Sequence, residues 1–214
     1  LQHADEMIVA AKRNNNRLCV CHTSIFNPAV RRAKRLVEDG FIGKLRGVDI
    51  KILQRTNELL TQRDHWCHKL PGGVFSECAP HAIYLALAFL AGVNSVHAVA
   101  KKLSDFPWVG ADELKVLLDA QNAVGTLTVS CVSQKPAIAM DIFGTQRSIH
   151  VDSFTQTLLK HESRSFSPVS LALDNLSTSL QVLSSTLLTS MAFSLGRLKW
   201  SHYYLFREFI ESIE

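Results

Sequence analysis

NPAVRRAKRLVEDGFIGKLRGVDIKIL, residues 27–53, changes its period halfway along. Asn27 is a good N-cap and Pro28 suits the first helical position. Val30, Ala33, Leu36 and Val37 form an apolar stripe at helical spacing. Gly40 is a C-terminal stop. From Lys44 the pattern becomes strict alternation, as in a strand buried on one side. One helix handing over to one half-buried strand sets the frame for the rest of the chain.

Upstream, residues 2–13 carry Met7, Ile8 and Ala11 at helical spacing before the polar NNN run. LCVCH (18–22) reads as a short buried strand, and a helix followed by an apolar strand is an α/β signature. Downstream, 54–71 is polar and aperiodic and reads as a loop, and 75–91 as an apolar helix. Strand-like runs then follow at 93–103, 113–120, 123–132, 137–144 and 148–152, joined by the turns NAVG and GTQR. Short links between successive strands imply an α+β fold. Its open sheet would be largely antiparallel or mixed, with helices on one face.

The 214 residues are 47% hydrophobic and 20% charged, with a net charge of +4. That is an ordinary globular composition with room for a sizeable core. The positive excess sits in KRNNNR (12–17) and RRAKR (31–35), which read as solvated faces and not as a nucleic-acid surface. Five scattered cysteines without a CxxC pair argue against a disulfide framework and fit a reducing cytoplasm. Between Asp174 and Arg197 there is no charge, and Leu173, Leu176, Leu180, Leu183 and Leu187 keep helical spacing. Yet nine of the twenty residues from 176 to 195 are Ser or Thr. The segment reads as an amphipathic helix packed on the sheet or on another subunit, not as a membrane span. Both ends of the chain read as cut, so a longer parent protein is expected.

The stretch with the most chemistry is PGGVFSECAPHAIY, residues 71–84. Glu77 and His81 stand one helical turn apart. Histidine exchanges protons near neutral pH, and a carboxylate one turn away stabilises its charged form. Pro80 lacks an N–H, so it places His81 near a helix start or at a restart after a kink. On spacing alone a structural helix cap is the better reading of the pair, with acid–base work as the alternative. His65, Cys67, His68, Cys78 and His81 also raise zinc, without regular knuckle spacing. Cys78 near a helix start raises a thiol nucleophile, and packing is the blander account. No GxGxxG or GxxxxGK[ST] occurs.

The order of these motifs resembles the C-terminal part of the glucose–fructose oxidoreductase / inositol dehydrogenase (Gfo/Idh/MocA) family. FNPAVRRAKRLVEDGFIGKLRGVDI is similar to the segment that opens its substrate domain. W…PGGVFSECAPHAIYLALAFLAG is similar to its W…GG…D-x-x-x-H segment, and HYYLFREFIESI to its last helix. Residues 160–199 have no counterpart. The resemblance implies an oxidoreductase that binds NAD or NADP on a Rossmann domain and a sugar or polyol on the C-terminal domain. It implies a homo-oligomer through the outer sheet face. Residues 1–23 then correspond to the end of the dinucleotide-binding domain, and 24–214 to the substrate and oligomerisation domain. The family's Glu-Lys-Pro lysine would precede Leu1. His81 matches the acid–base histidine, and Glu77 stands where the family has aspartate. Ile25 stands where it often has arginine. His22 and Thr23 fall at the cofactor side, and Trp66, Lys69 and Gly73 at the substrate side. The alternatives left open are a non-catalytic relative acting as a binding or oligomerisation module, and a zinc-binding module.

Overall fold

The computed structural model describes residues 2–162 and 165–213. Leu1 and Glu214, the outer ends of the expected terminal helices, lie outside the described residues. The fold is α+β: one open seven-stranded sheet in the order β2-β3-β4-β1-β5-β6-β7. The strands are β1 (Leu45–Leu53), β2 (Val93–Lys101), β3 (Glu113–Ala120), β4 (Val124–Ser130), β5 (Ala137–Gly144), β6 (Ser148–Asp152) and β7 (Thr157–His161). All neighbours pair antiparallel except β1 with β4, which run parallel, so the sheet is mixed.

The helix that precedes β1 is α2 (Pro28–Glu38). Asn27 caps it by accepting from the Ala29 and Val30 N–H groups, and donates its own amide to the Ser153 carbonyl. Gly40 ends it at φ +75°, a left-handed turn that glycine makes at no steric cost. The chain then enters β1, whose alternation puts Val48, Ile50 and Ile52 on the buried face. Met140 and Ile142 of β5 and Ile149 and Val151 of β6 extend that layer. It is covered by Ala29, Val30 and Ala33 of α2 and by Cys78, Ala82, Leu85 and Ala86 of α4 (Phe75–Leu87). Each Val, Leu, Ile or Met side chain buried there contributes about 1.5–3 kcal/mol relative to exposure. The opposite sheet face is open and largely polar. Asp141 accepts from Lys51 (3.3 Å) and pairs with His150 Nδ1 (2.7 Å), and Thr126 donates to Asp49 (2.5 Å).

Four expectations need correction. Residues 18–22 form no strand: among the described residues no strand lies beside them, and extended backbone needs a ladder partner. They are exposed, as is all but the edge of α1 (Gln2–Arg13), which buries no residue. Residues 54–71 are not wholly loop. They contain a short helix, α3 (Glu58–Thr61), and a 3-10 turn (Trp66–Lys69), capped by the Asn57 and His65 side chains. Trp108 Nε1 donates to the Leu60 carbonyl and pins α3 (2.9 Å). Strand β7, absent from the sequence reading, follows a turn whose left-handed residue is Gln156 at φ +53°, not the usual glycine or asparagine.

The fourth concerns α5 (Pro168–Ser194), which forms as expected but does not lay its leucines on the sheet. Leu173, Leu176, Leu180, Leu183 and Leu187 are 56–61% exposed. The half-buried line is instead Ser170, Asp174, Thr178, Gln181, Ser185 and Thr189. What α5 meets is the edge of β7, a row of backbone groups, and polar side chains suit that partner. Gln181 accepts from the Lys160 N–H (2.9 Å) and donates to the Lys160 carbonyl (3.0 Å). Among the described residues no helix is long and apolar enough to cross a membrane. The last helix, α6 (Ser201–Glu211), buries Leu205, packs on the 3-10 turn Thr23–Phe26, and ties to α2 through Arg31 and Glu208.

Candidate functional site

Helix α4 starts from a glycine turn. Gly73 sits at φ +54° with open space where a Cβ would be, so backbone conformation selects it. Gly72 N–H donates to Ser76 Oγ at 3.2 Å, and a Cβ on Gly72 would lie 2.7 Å from that oxygen. Both glycines therefore serve the local start of α4. Pro80 neither starts nor restarts a helix: α4 runs through it, with the proline exposed. An exposed ring avoids the core, and only one intrahelical bond is forgone.

His81 is half-buried on the face of α4 that meets the N-terminal segment. Its Nδ1 lies 2.7 Å from Tyr84 Oη, one turn on. Tyr84 is 8% exposed, and its oxygen also accepts from the Ser24 N–H at 3.1 Å. The His22 ring stacks on Tyr84 with centroids 4.5 Å apart. Thr23 opens the same 3-10 turn. Thus His22, Tyr84 and His81 form one cluster where residues 22–24 cross α4. Burial holds the His81 pKa below its usual range, the Glu77 charge opposes that, and His22 adds to it. The imidazole is therefore neutral near pH 7 and free to exchange a proton. Glu77, in the first turn of α4, acts on it through charge, with no hydrogen bond between them among the described residues.

Trp66 and Lys69 lie on the 3-10 turn before the glycines. Trp66 is 53% exposed beside His65, at 5.6 Å between ring centroids, and Lys69 is exposed. Neither makes a hydrogen bond or ring contact with His81 among the described residues. Ile25, standing where an arginine is common in the resembled family, packs partly buried against the core.

The cysteines do other work. Cys78 and Cys131 Sγ are 3.9 Å apart and fully buried. The hydrogen bond to Cys131, then burial, pushes the Cys78 thiol far up, which removes it as a nucleophile. His65 Nδ1 meets Cys67 Sγ at 3.1 Å. Among the described residues no three His, Cys, Asp or Glu side chains gather to hold a metal ion.

Tyr84 and Ser24 were not visible as site residues in the sequence. Tyr84 sits in an apolar run and reads as core, although its spacing of three from His81 is a signal. Ser24 contributes only its backbone N–H.

A family model for the GFO/IDH/MocA C-terminal domain matches residues 30–150. No curated protein matches this sequence. Solved structures do. UDP-N-acetylglucosamine 3-dehydrogenase GnnA from Acidithiobacillus ferrooxidans is 24% identical with a TM-score of 0.58, over 78% of this chain and 49% of that one. WlbA dehydrogenase from Bordetella pertussis, solved with NADH and UDP-GlcNAcA, is 20% identical with a TM-score of 0.62, over 83% and 56%. Levoglucosan dehydrogenase, solved with NADH and levoglucosan, is 23% identical with a TM-score of 0.64, over 77% and 48%. At these identities the likeness is one of fold, and the chain spans about half the length of the structures it matches. With more than half of its residues under the family model, this chain belongs to the GFO/IDH/MocA family through that family's C-terminal domain.

Proposed function

We propose that the chain is the substrate-side portion of an NAD(P)-dependent oxidoreductase. It would act on a polar alcohol or carbonyl of the sugar or polyol class, with His81 as general acid–base. The observation that carries this is the half-buried imidazole of His81, one turn from the Glu77 carboxylate on α4, in a chain of this family. The structural relatives solved with NADH and with sugar ligands support the substrate and cofactor classes.

Residues 1–23 belong, on this reading, to a dinucleotide-binding domain, and 24–214 to the substrate domain. The residues present fit the nicotinamide end of such a cofactor and no more. His22 offers an exposed ring beside His81, and Thr23 a hydroxyl at the start of the turn. The chain carries no glycine-rich phosphate cradle. A bound nicotinamide would supply the hydride acceptor. As the substrate carbon loses hydride, the imidazole of His81 takes the hydroxyl proton and a carbonyl forms. Glu77 stabilises the imidazolium by charge. Trp66, Lys69 and the turn at Gly73 bound the side from which a polar substrate approaches α4.

In the full-length enzyme His81→Ala is expected to lower kcat by roughly 100-fold or more, the scale of losing a general acid–base. Turnover within a few-fold of the unmodified enzyme sinks the assignment. A full-length protein that binds nicotinamide cofactor yet oxidises no polyol in a broad screen would instead be a binding relative. The same reading gives the open sheet face to a second copy. There Val124 and Phe143 flank Gly47 and are both exposed. Sedimentation equilibrium with Phe143→Glu checks this, and an unchanged mass overturns it.

A further inference from the structure

The Nδ1 side of His81 is already occupied. Tyr84 Oη lies 2.7 Å from it, and the phenol oxygen receives the Ser24 N–H at 3.1 Å. A phenol has one hydrogen to give and can also accept. With the backbone N–H fixed on one lone pair, the imidazole Nδ1 is the partner in reach of the phenol hydrogen among the described residues. Tyr84 itself has little freedom. It is buried, His22 covers its ring, and it stands on the same helix as His81.

We propose that Tyr84 is the positioning residue of His81: its phenol holds Nδ1, sets the resting neutral imidazole in the Nε2–H form, and leaves Nε2 as the ring nitrogen that meets substrate. The role in turnover rests on the reading of His81 as acid–base. The hold on Nδ1 does not.

The form able to take a substrate proton on Nε2 carries its hydrogen on Nδ1, and it is reached when the Nε2 proton leaves to solvent and Nδ1 takes one up from solvent. The same 2.7 Å separation serves it. The phenol hydrogen turns away, and the oxygen accepts from Nδ1–H. A group that both donates and accepts lets the ring change form without moving. It also anchors the ring to the backbone of Ser24, at the point where the N-terminal segment meets α4. A phenylalanine there would keep the packing and leave both Nδ1 and the Ser24 N–H unpaired. Leaving buried polar groups unpaired is costly.

Nitrogen-15 NMR of the imidazole side chains tests the hold directly on the unmodified chain, with the His81 signals assigned by their loss in His81→Ala. Above the His81 titration, Nδ1 is expected at the shift of an unprotonated, hydrogen-bonded nitrogen and Nε2 at that of a protonated one. The reverse assignment, or an even mixture, overturns the proposal. Tyr84→Phe is expected to move the spectrum toward a mixture, and an unchanged spectrum also overturns it. In the full-length enzyme Tyr84→Phe should lower kcat on the order of 10-fold with KM little changed. On a His81→Ala background it should cost nothing further. A loss of the same size on that background would show that Tyr84 acts elsewhere. If His81→Ala alone leaves turnover intact, the acid–base reading falls, and the NMR result still decides the hold on Nδ1.

Discussion

Two helices of this chain carry apolar stripes and meet opposite fates. α4, 13 residues long, buries Cys78, Ala82, Tyr84, Leu85 and Ala86 between the sheet and the N-terminal turn. α5, 27 residues long, buries none and turns its leucines outward. The difference lies in what each helix faces. α4 lies over β1 and β4, where alternate residues present an apolar surface. α5 meets the edge of β7, where the available groups are amides, and so its Ser, Thr and Gln line turns inward. Periodicity tells which side of a helix is apolar. The neighbouring surface decides which side is covered.

The largest expected effect sharpens that contrast. Leu85→Ala in α4 is expected to cost about 2–5 kcal/mol, the range for truncating a fully buried leucine. Leu180→Ala in α5 should stay within about 0.5 kcal/mol, as for exposed substitutions. Urea denaturation of the two variants measures the gap, and equal losses would mean that the leucine face of α5 is covered. A smaller effect is expected for Gln181→Ala. It removes two hydrogen bonds to the Lys160 backbone, worth roughly 0.5–1.5 kcal/mol each. Hydrogen exchange at the Lys160 amide should rise with it, and unchanged protection would separate α5 from the sheet edge.

Much of the fold was legible in the sequence because its signals are local. Strands β3, β5 and β6 fall on the expected residues, and Asn27, Pro28 and Gly40 bound α2 as their chemistry dictates. The failures are of two kinds. LCVCH has strand composition, but a strand exists only beside another, and position in a sheet is not a local property. β7 hides behind a turn made by Gln156, a residue that rarely takes a left-handed conformation. The site divides in the same way. Glu77 and His81 are visible because one helix fixes their spacing. Ser24 is invisible because its contribution is a main-chain N–H brought from sixty residues away. Gly72 and Gly73 stand in the turn that launches α4, a local feature that the paired glycines announce.

The Gln181 contact has a consequence for how the sheet can grow. A strand edge invites addition of another strand wherever its N–H and carbonyl groups stand free. At Lys160 one side chain fills both, in the manner of a plug, so an incoming strand finds no ladder there. β2, at the other border, has no comparable plug among the described residues and exposes Val96 and Val99. Among the described residues, then, the two borders of the sheet differ: β7 meets a strand-blocking side chain at Lys160, and β2 does not.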